Sequence, residues 1–171
     1  GRWHDVGKAH PAFQACIKTD AATNDLAKGG AVRNDWAKAP DNAWHKGSSL
    51  YRISTNDHRP GFRHELAGAL ALFDVLRRHN PKHPALLGPW MEFLEQAGMA
   101  PELASTASAP PTPIEQEILK LDAEGFNLLA YLICSHHGKV RMSLHACPAD
   151  QDAADGRLRI RGISNGDTLP E

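Results

Sequence analysis

The sequence predicts an all-α domain, a helical bundle with one small strand or hairpin near its C-terminus. Two observations carry this. Apolar residues recur at three- and four-residue spacing in the windows 62–79, 85–97, 113–123 and 125–137. Period-two alternation, by contrast, is confined to the short run Arg157-Leu158-Arg159-Ile160-Arg161.

Taken in order, residues 3–9 read as the end of a helix entered part-way. The opening Gly1-Arg2-Trp3-His4-Asp5 is neither an initiator methionine nor a signal peptide, so the domain is expected to be truncated. Pro11, whose missing N–H is not needed in a first helical turn, opens a second helix over 11–18. Residues 19–61, with Gly29-Gly30, Pro40, Gly47-Ser48-Ser49 and Pro60-Gly61, read as a long polar loop carrying Trp36 and Trp44. Leu66, Leu70 and Phe73 mark the clearest helix, which Asn80-Pro81 ends. The next, over 85–97, carries Leu86, Leu87, Trp90, Phe93 and Leu94 and stops at Gly98.

Residues 98–113, rich in Ala, Ser, Thr and Pro, form a second loop. Thr112-Pro113 with Glu115 in the first turn starts a helix running to about residue 123. The segment 125–137 is so apolar that a helix buried on most sides is expected, closed by Gly138.

A chain of 171 residues with 42% hydrophobic residues suits one domain with a sizeable core. No apolar run approaches the ~20 residues of a membrane helix. The formal net charge of −1 supplies no global basic field, so any nucleic-acid contact must be local. Cys16, Cys134 and Cys147 include no Cys-x-x-Cys pair, which points to reduced thiols in a cytoplasmic setting. Ten histidines stand out.

Four of the histidines fall in three short motifs: His4-Asp5-Val6-Gly7-Lys8, Arg63-His64-Glu65 and Ser135-His136-His137-Gly138-Lys139. Each lies on or beside an expected helix end. Neighbours on a helix differ in direction by about a hundred degrees, so adjacent ligands can face different metals. Imidazole with carboxylate and no thiolate suits Mn, Fe, Co, Ni or Zn in open geometry rather than a structural zinc. Two such ions ~3.5–4 Å apart activate a water and stabilise the leaving oxygen of a phosphodiester. Each motif alone has a bland reading as a capping pair or an ordinary histidine; their co-occurrence on helices able to converge favours the metal. His10, His45, His58, His79, His83 and His145 are read as loop or surface residues.

The run His4-Asp5-Val6-Gly7-Lys8-Ala9-His10-Pro11-Ala12-Phe13-Gln14 resembles the pattern His-Asp-x-Gly-Lys-Ala-x-Pro-x-Phe-Gln of HD-domain nucleases in type I CRISPR interference. Phe62-Arg63-His64-Glu65 and Ser135-His136-His137-Gly138 are similar to the later motifs of that family, in the same order. The resemblance covers residues 3 to about 142. It implies an HD-superfamily helical bundle, residues 1–171 being a single domain truncated at both ends. It also implies degradation of single-stranded DNA by a prokaryotic cytoplasmic nuclease holding two divalent transition metal ions. The implied partners are a superfamily 2 helicase domain, fused or separate, and the CRISPR RNA-guided surveillance complex.

On the same basis His4, Asp5, His64, His136 and His137 are metal ligands, with Asp5 bridging. Lys8 neutralises phosphate charge beside Asp5. The chain departs from the family by lacking a histidine upstream of His4 and a late helical aspartate. Its late acids Asp150, Asp152, Asp155 and Asp167 lie in turn-like contexts.

Lys139 and Arg141 are candidates to guide the phosphate backbone, and binding through them would depend on salt. Arg157, Arg159 and Arg161 either extend that track or form a solvated face paired with acids. Trp36 and Trp44 are expected to pin their loop rather than stack on bases. Two other functions stay open: an HD phosphohydrolase acting on a nucleotide or small phosphate ester, and a degenerate metal-binding interaction domain. An open groove separates the nuclease from the closed pocket a small substrate needs.

Overall fold

The computed structural model describes residues 3–21, 51–54, 56–59, 61–88, 90–137 and 156–169. They form six α-helices, one 3-10 turn and two antiparallel hairpins, the helical bundle with a small C-terminal strand pair that the sequence predicts. The first segment corrects one expectation. Trp3–Asp5 is a turn, and Val6–Ala9 closes as a single 3-10 turn rather than the end of an α-helix. Asp5 is its N-cap position. His10 precedes a proline and takes ψ 135, which stops the turn. Helix α1 (Pro11–Ala21) then starts at Pro11 and runs beyond residue 18.

Within the expected loop 19–61, strands β1 (Arg52–Ser54) and β2 (Asp57–His58) pair through a turn at Asn56. Trp36 and Trp44 lie outside the described residues. Helix α2 (His64–His79) is the central element, with Glu65 in its first turn and Arg77, Arg78 and His79 in its last, as the macrodipole favours. Its buried residues are Leu66, Ala67, Gly68, Ala69, Leu72, Val75 and Leu76, whereas Leu70 is exposed. The stripe is wide because α2 packs on two sides at once.

The helix expected over 85–97 is two helices, α3 (Pro84–Leu87) and α4 (Trp90–Gln96). Gly88 at φ 47 breaks the run, a left-handed conformation that only glycine adopts cheaply. Trp90 and Phe93 consequently face solvent, 66% and 60% exposed. Gly98 ends α4 at φ 65.

No helix or strand is assigned between Gly98 and Thr112. Helix α5 (Pro113–Leu119) starts with a complete capping box between Thr112 and Glu115, but ends four residues early because Asp122 caps a new helix. That helix, α6 (Ala123–Ser135), buries only Phe126, Ala130 and Ile133. Leu128, Tyr131 and Leu132 are exposed, so the expectation of burial on most sides is corrected to one.

Strands β3 (Arg159–Ile160) and β4 (Ile163–Ser164) close the described chain. Arg161 and Gly162 between them both have positive φ (47 and 76), as a two-residue hairpin turn of this hand requires.

Two apolar clusters flank the first turns of α2. One joins Ala69, Leu72, Val75 and Leu76 to Ile118, Phe126, Ala130 and Ile133 of α5 and α6. The other joins Ala67 and Phe62 to Ala12, Phe13 and Ile17 of α1. Between them the 3-10 turn lies directly on α2. A Cβ added to Gly7 would fall on the His64 carbonyl oxygen and within 2.6 Å of the Gly68 nitrogen. This approach, open only to glycine, sets His4 and Asp5 beside His64.

Candidate metal centre

His64 is the first residue of α2, His136 the C-cap of α6, and Asp5 precedes the 3-10 turn. The packing of α6 and the turn together on α2, both meeting it at Gly68, therefore brings three distant motifs together. One ring nitrogen from each of His64, His136 and His137 lies within 4.8 Å of the other two. His64 Nε2 and His137 Nε2 are 3.1 Å apart. Asp5 Oδ1 faces this group, 3.7 Å from His64 Nε2 and 3.8 Å from His136 Nε2. Its other oxygen, Oδ2, is 3.1 Å from His4 Nε2.

Two observations fit a cation here. His136 Nε2 is buried without a hydrogen-bond partner, while its Nδ1 lies 2.7 Å from the Ile133 carbonyl, which fixes Nε2 as the nitrogen offered to the cluster. The Lys8 ammonium, meanwhile, sits 2.7 Å from Asp5 Oδ1, so positive charge already occupies the carboxylate oxygen that faces the histidines. The donor set, imidazoles with a carboxylate, matches a divalent transition metal. The C-terminal end of α6 adds a favourable dipole for positive charge at His136.

The protonation states agree with ligation. Burial pushes His64 down to about 4, and the neighbouring Lys8, His137 and His136 act in the same direction against the opposing pull of Glu65. His64 is therefore neutral near pH 7, with a lone pair to give. Burial opposes ionisation of Asp5, but the Lys8 ammonium and the nearby His4 and His64 hold its carboxyl below the usual range.

Residues 2–163 match the family model described as Cas3, HD domain. The chain belongs to the Cas3 HD-domain family. No curated protein and no solved structure matches it. Family membership and the histidine triad identify this Cas3 HD domain as a metal-dependent hydrolase of the nuclease kind, associated with CRISPR. The triad provides one divalent-metal site. Among the described residues, no helix is long and apolar enough to cross a membrane.

The structure brings together His64, His136, His137 and Asp5, with His4 and Lys8 on Asp5. His4 and Asp5 lie in a turn ahead of a 3-10 segment, not at the helix C-terminus expected from sequence. Lys139, Arg141, Asp150, Asp152 and Asp155 lie outside the described residues, as do His45 and His145. Arg159 is drawn away from a solvent track: its side chain is 8% exposed and lies 3.9 Å from Asp57.

Three histidines expected at the surface are not there. His83 is buried, accepting from the Ala85 N–H as the cap of α3, and the His79 side chain is almost fully covered beside Glu115. His10 is buried against Phe62 and pairs with Asp167 at 3.1 Å. Asp167 also receives both terminal nitrogens of the buried Arg59, at 2.5 and 3.0 Å, and the Ser164 N–H at 2.8 Å. Asp57 holds the other side of that guanidinium. Asp167 thus anchors the end of the first motif from behind rather than joining the histidines. Sequence reading missed this network, and it missed Glu65, whose carboxylate stands 3.5 Å from His64 Nδ1. The only signal for Glu65 was its place beside His64 in the second motif.

Proposed function

We propose that this Cas3 HD domain degrades single-stranded DNA by metal-dependent phosphodiester hydrolysis, with two ions at full loading. The observation that carries this is the convergence of three imidazoles within 4.8 Å of one another, two of them within 4 Å of the Asp5 carboxylate. His64, His136, His137 and Asp5 would hold one ion, and His4 with Asp5 would contribute to the second, with Asp5 in the bridging role. The two oxygens of Asp5 already face these two groups separately, which supports the bridging role. Mn, Fe, Co and Ni suit the donor set, and Zn is compatible with it. Bound there, the metals supply Lewis acidity and a water acidified for attack on phosphorus.

The chain's own residues do the rest. Asp5 and the neutral imidazoles orient the site. Lys8, whose ammonium lies 2.7 Å from Asp5 Oδ1, is near enough to neutralise charge developing on the phosphate. Lys139 and Arg141, just past the His136-His137 pair, steer the backbone toward it. The open setting supports a polymer substrate over a small ester: His4 and His137 are 52% and 49% exposed at their side chains. A groove of about 490 Å³ lined by Pro84, Leu87, Trp90 and Asn127 lies toward the opposite end of α6, with Asn127 roughly 14 Å from His136 along the helix. The partners implied by the family motifs are a superfamily 2 helicase that delivers the strand and the CRISPR surveillance complex that selects it, in the prokaryotic cytoplasm.

The test is manganese-, cobalt- or nickel-dependent cleavage of single-stranded DNA, run against a panel of nucleotides, with metal content measured and Asp5→Ala as control. Cleavage of the DNA that disappears in Asp5→Ala is the expected result. Activity that survives Asp5→Ala, or appears only on nucleotides, overturns it.

A further inference from the structure

His64 presents two ring nitrogens in opposite directions. Nε2 faces the cluster, 3.1 Å from His137 Nε2 and 3.7 Å from Asp5 Oδ1. Nδ1 faces away, toward Glu65 Oε2 at 3.5 Å. His136 is built alike: its Nδ1 is held by the Ile133 carbonyl and its Nε2 is left to the cluster. An imidazole has one N–H and one lone pair when neutral, so whichever acceptor claims the N–H decides which nitrogen can ligate. For His136 that acceptor is a backbone carbonyl. For His64 the group standing beside Nδ1 is a carboxylate.

We infer that Glu65 is a positioning residue of the metal centre, accepting the His64 Nδ1–H and so holding the Nε2 lone pair on the metal. This rests on the metal-centre reading above. The Glu65 side chain is only 13% exposed, so its charge is poorly screened where it meets the ring. Its second oxygen, Oε1, lies 4.0 Å from His137 Nε2, keeping the carboxylate against the rim of the cluster. The 3.5 Å separation is long for a hydrogen bond; such contacts are commonly long before loading and tighten with it. A carboxylate behind a ligating imidazole raises its basicity as well as fixing its tautomer. The place of Glu65 in the first turn of α2, directly after His64, gives it this reach with little freedom to leave.

The experiment measures manganese affinity by titration calorimetry and the cobalt(II) absorption spectrum for the whole chain, with the thermal midpoint of the metal-free protein recorded alongside. Glu65→Ala is expected to weaken manganese about 10- to 100-fold and shift the cobalt bands while the metal-free midpoint stays put. Glu65→Gln, which keeps an acceptor oxygen, is expected to lose distinctly less. Should Glu65→Ala fail to fold, Glu65→Met, close in size and without an acceptor, takes its place. Parental affinity in the acceptor-less variant overturns the inference. Equal losses in the acceptor-less and Gln variants also overturn it, in favour of direct ligation by Glu65. His64→Ala separates the two readings: if it binds manganese as the parent does, the metal-centre reading itself fails. If it alone loses affinity, only the role of Glu65 fails.

Discussion

Gly7 is the residue on which the geometry of the centre turns, because the 3-10 segment touches the α2 backbone where any side chain would stand. Gly7→Ala must push that segment off His64 and Gly68. A loss of about 3 kcal/mol of stability in denaturant titration is expected, with weakened manganese binding, since Asp5 moves with the turn. Arg161 offers the opposite case. It holds φ 47 in the β3–β4 turn, where a branched or long side chain is strained. Arg161→Asn, which tolerates that region, is expected to stabilise by about 0.5–1 kcal/mol, read as a raised thermal midpoint.

At this scale the sequence was legible where chemistry was written in adjacent letters. The His4-Asp5, His64 and His136-His137 motifs announce imidazole and carboxylate before any fold is known. It was illegible where a residue's meaning lies in a distant partner. Nothing near His10 in the chain says that Asp167 buries and fixes it, and nothing near Arg59 says that two carboxylates enclose it.

Among the elements, α5 is the one whose stability follows from its first turn. Glu115 accepts from the Thr112 N–H at 2.8 Å and from Arg78 at 2.7 Å, tying α5 to α2. Burial opposes ionisation of Glu115, but these bonds prevail and lower its carboxyl from 4.5 to about 2. A carboxyl depressed in the folded state adds stability above its unfolded value, and that stability is lost as pH falls from about 4.5 toward 2. Glu115→Gln is expected to cost about 1 kcal/mol at pH 7 and to flatten the acid limb of stability between those values, as urea midpoints across pH will show.

The start of this helix was plain from Thr112-Pro113-x-Glu115, because a capping box is a local bond between nearby residues. The burial of α6 was not. Apolar density says that a helix can be buried, not how many neighbours reach it, and here the packing covers Phe126, Ala130 and Ile133 while leaving Leu128 and Leu132 exposed. The split between α3 and α4 was hidden for a related reason: Gly88 inside an apolar period reads equally as a tolerated glycine or a break.

For the whole molecule, the centre is a joint between segments rather than a property of any one of them. The histidines of α2 and the end of α6, with the proposed ligands of the first turn, make metal binding a restraint on how these parts dock. Manganese at a hundredfold excess over its dissociation constant is therefore expected to add about 2.7 kcal/mol to stability, and a chelator to remove it, as thermal shift reports. The polar network beneath is the second joint. Arg59→Met leaves Asp57 and Asp167 without their shared cation in a buried setting and is expected to cost about 3–5 kcal/mol, measured by urea unfolding.

That network also sets an order of events. His10 and Asp167 stand 157 positions apart, and every proposed metal ligand precedes Asp167 in the chain. A ribosome therefore releases the ligands before it releases the carboxylate that braces the first motif. Contacts of such long sequence separation form late and slowly. The proposed ligands, already made, thus reach their finished geometry only once β3 and β4 have folded back, which delays the metal centre until its frame is complete.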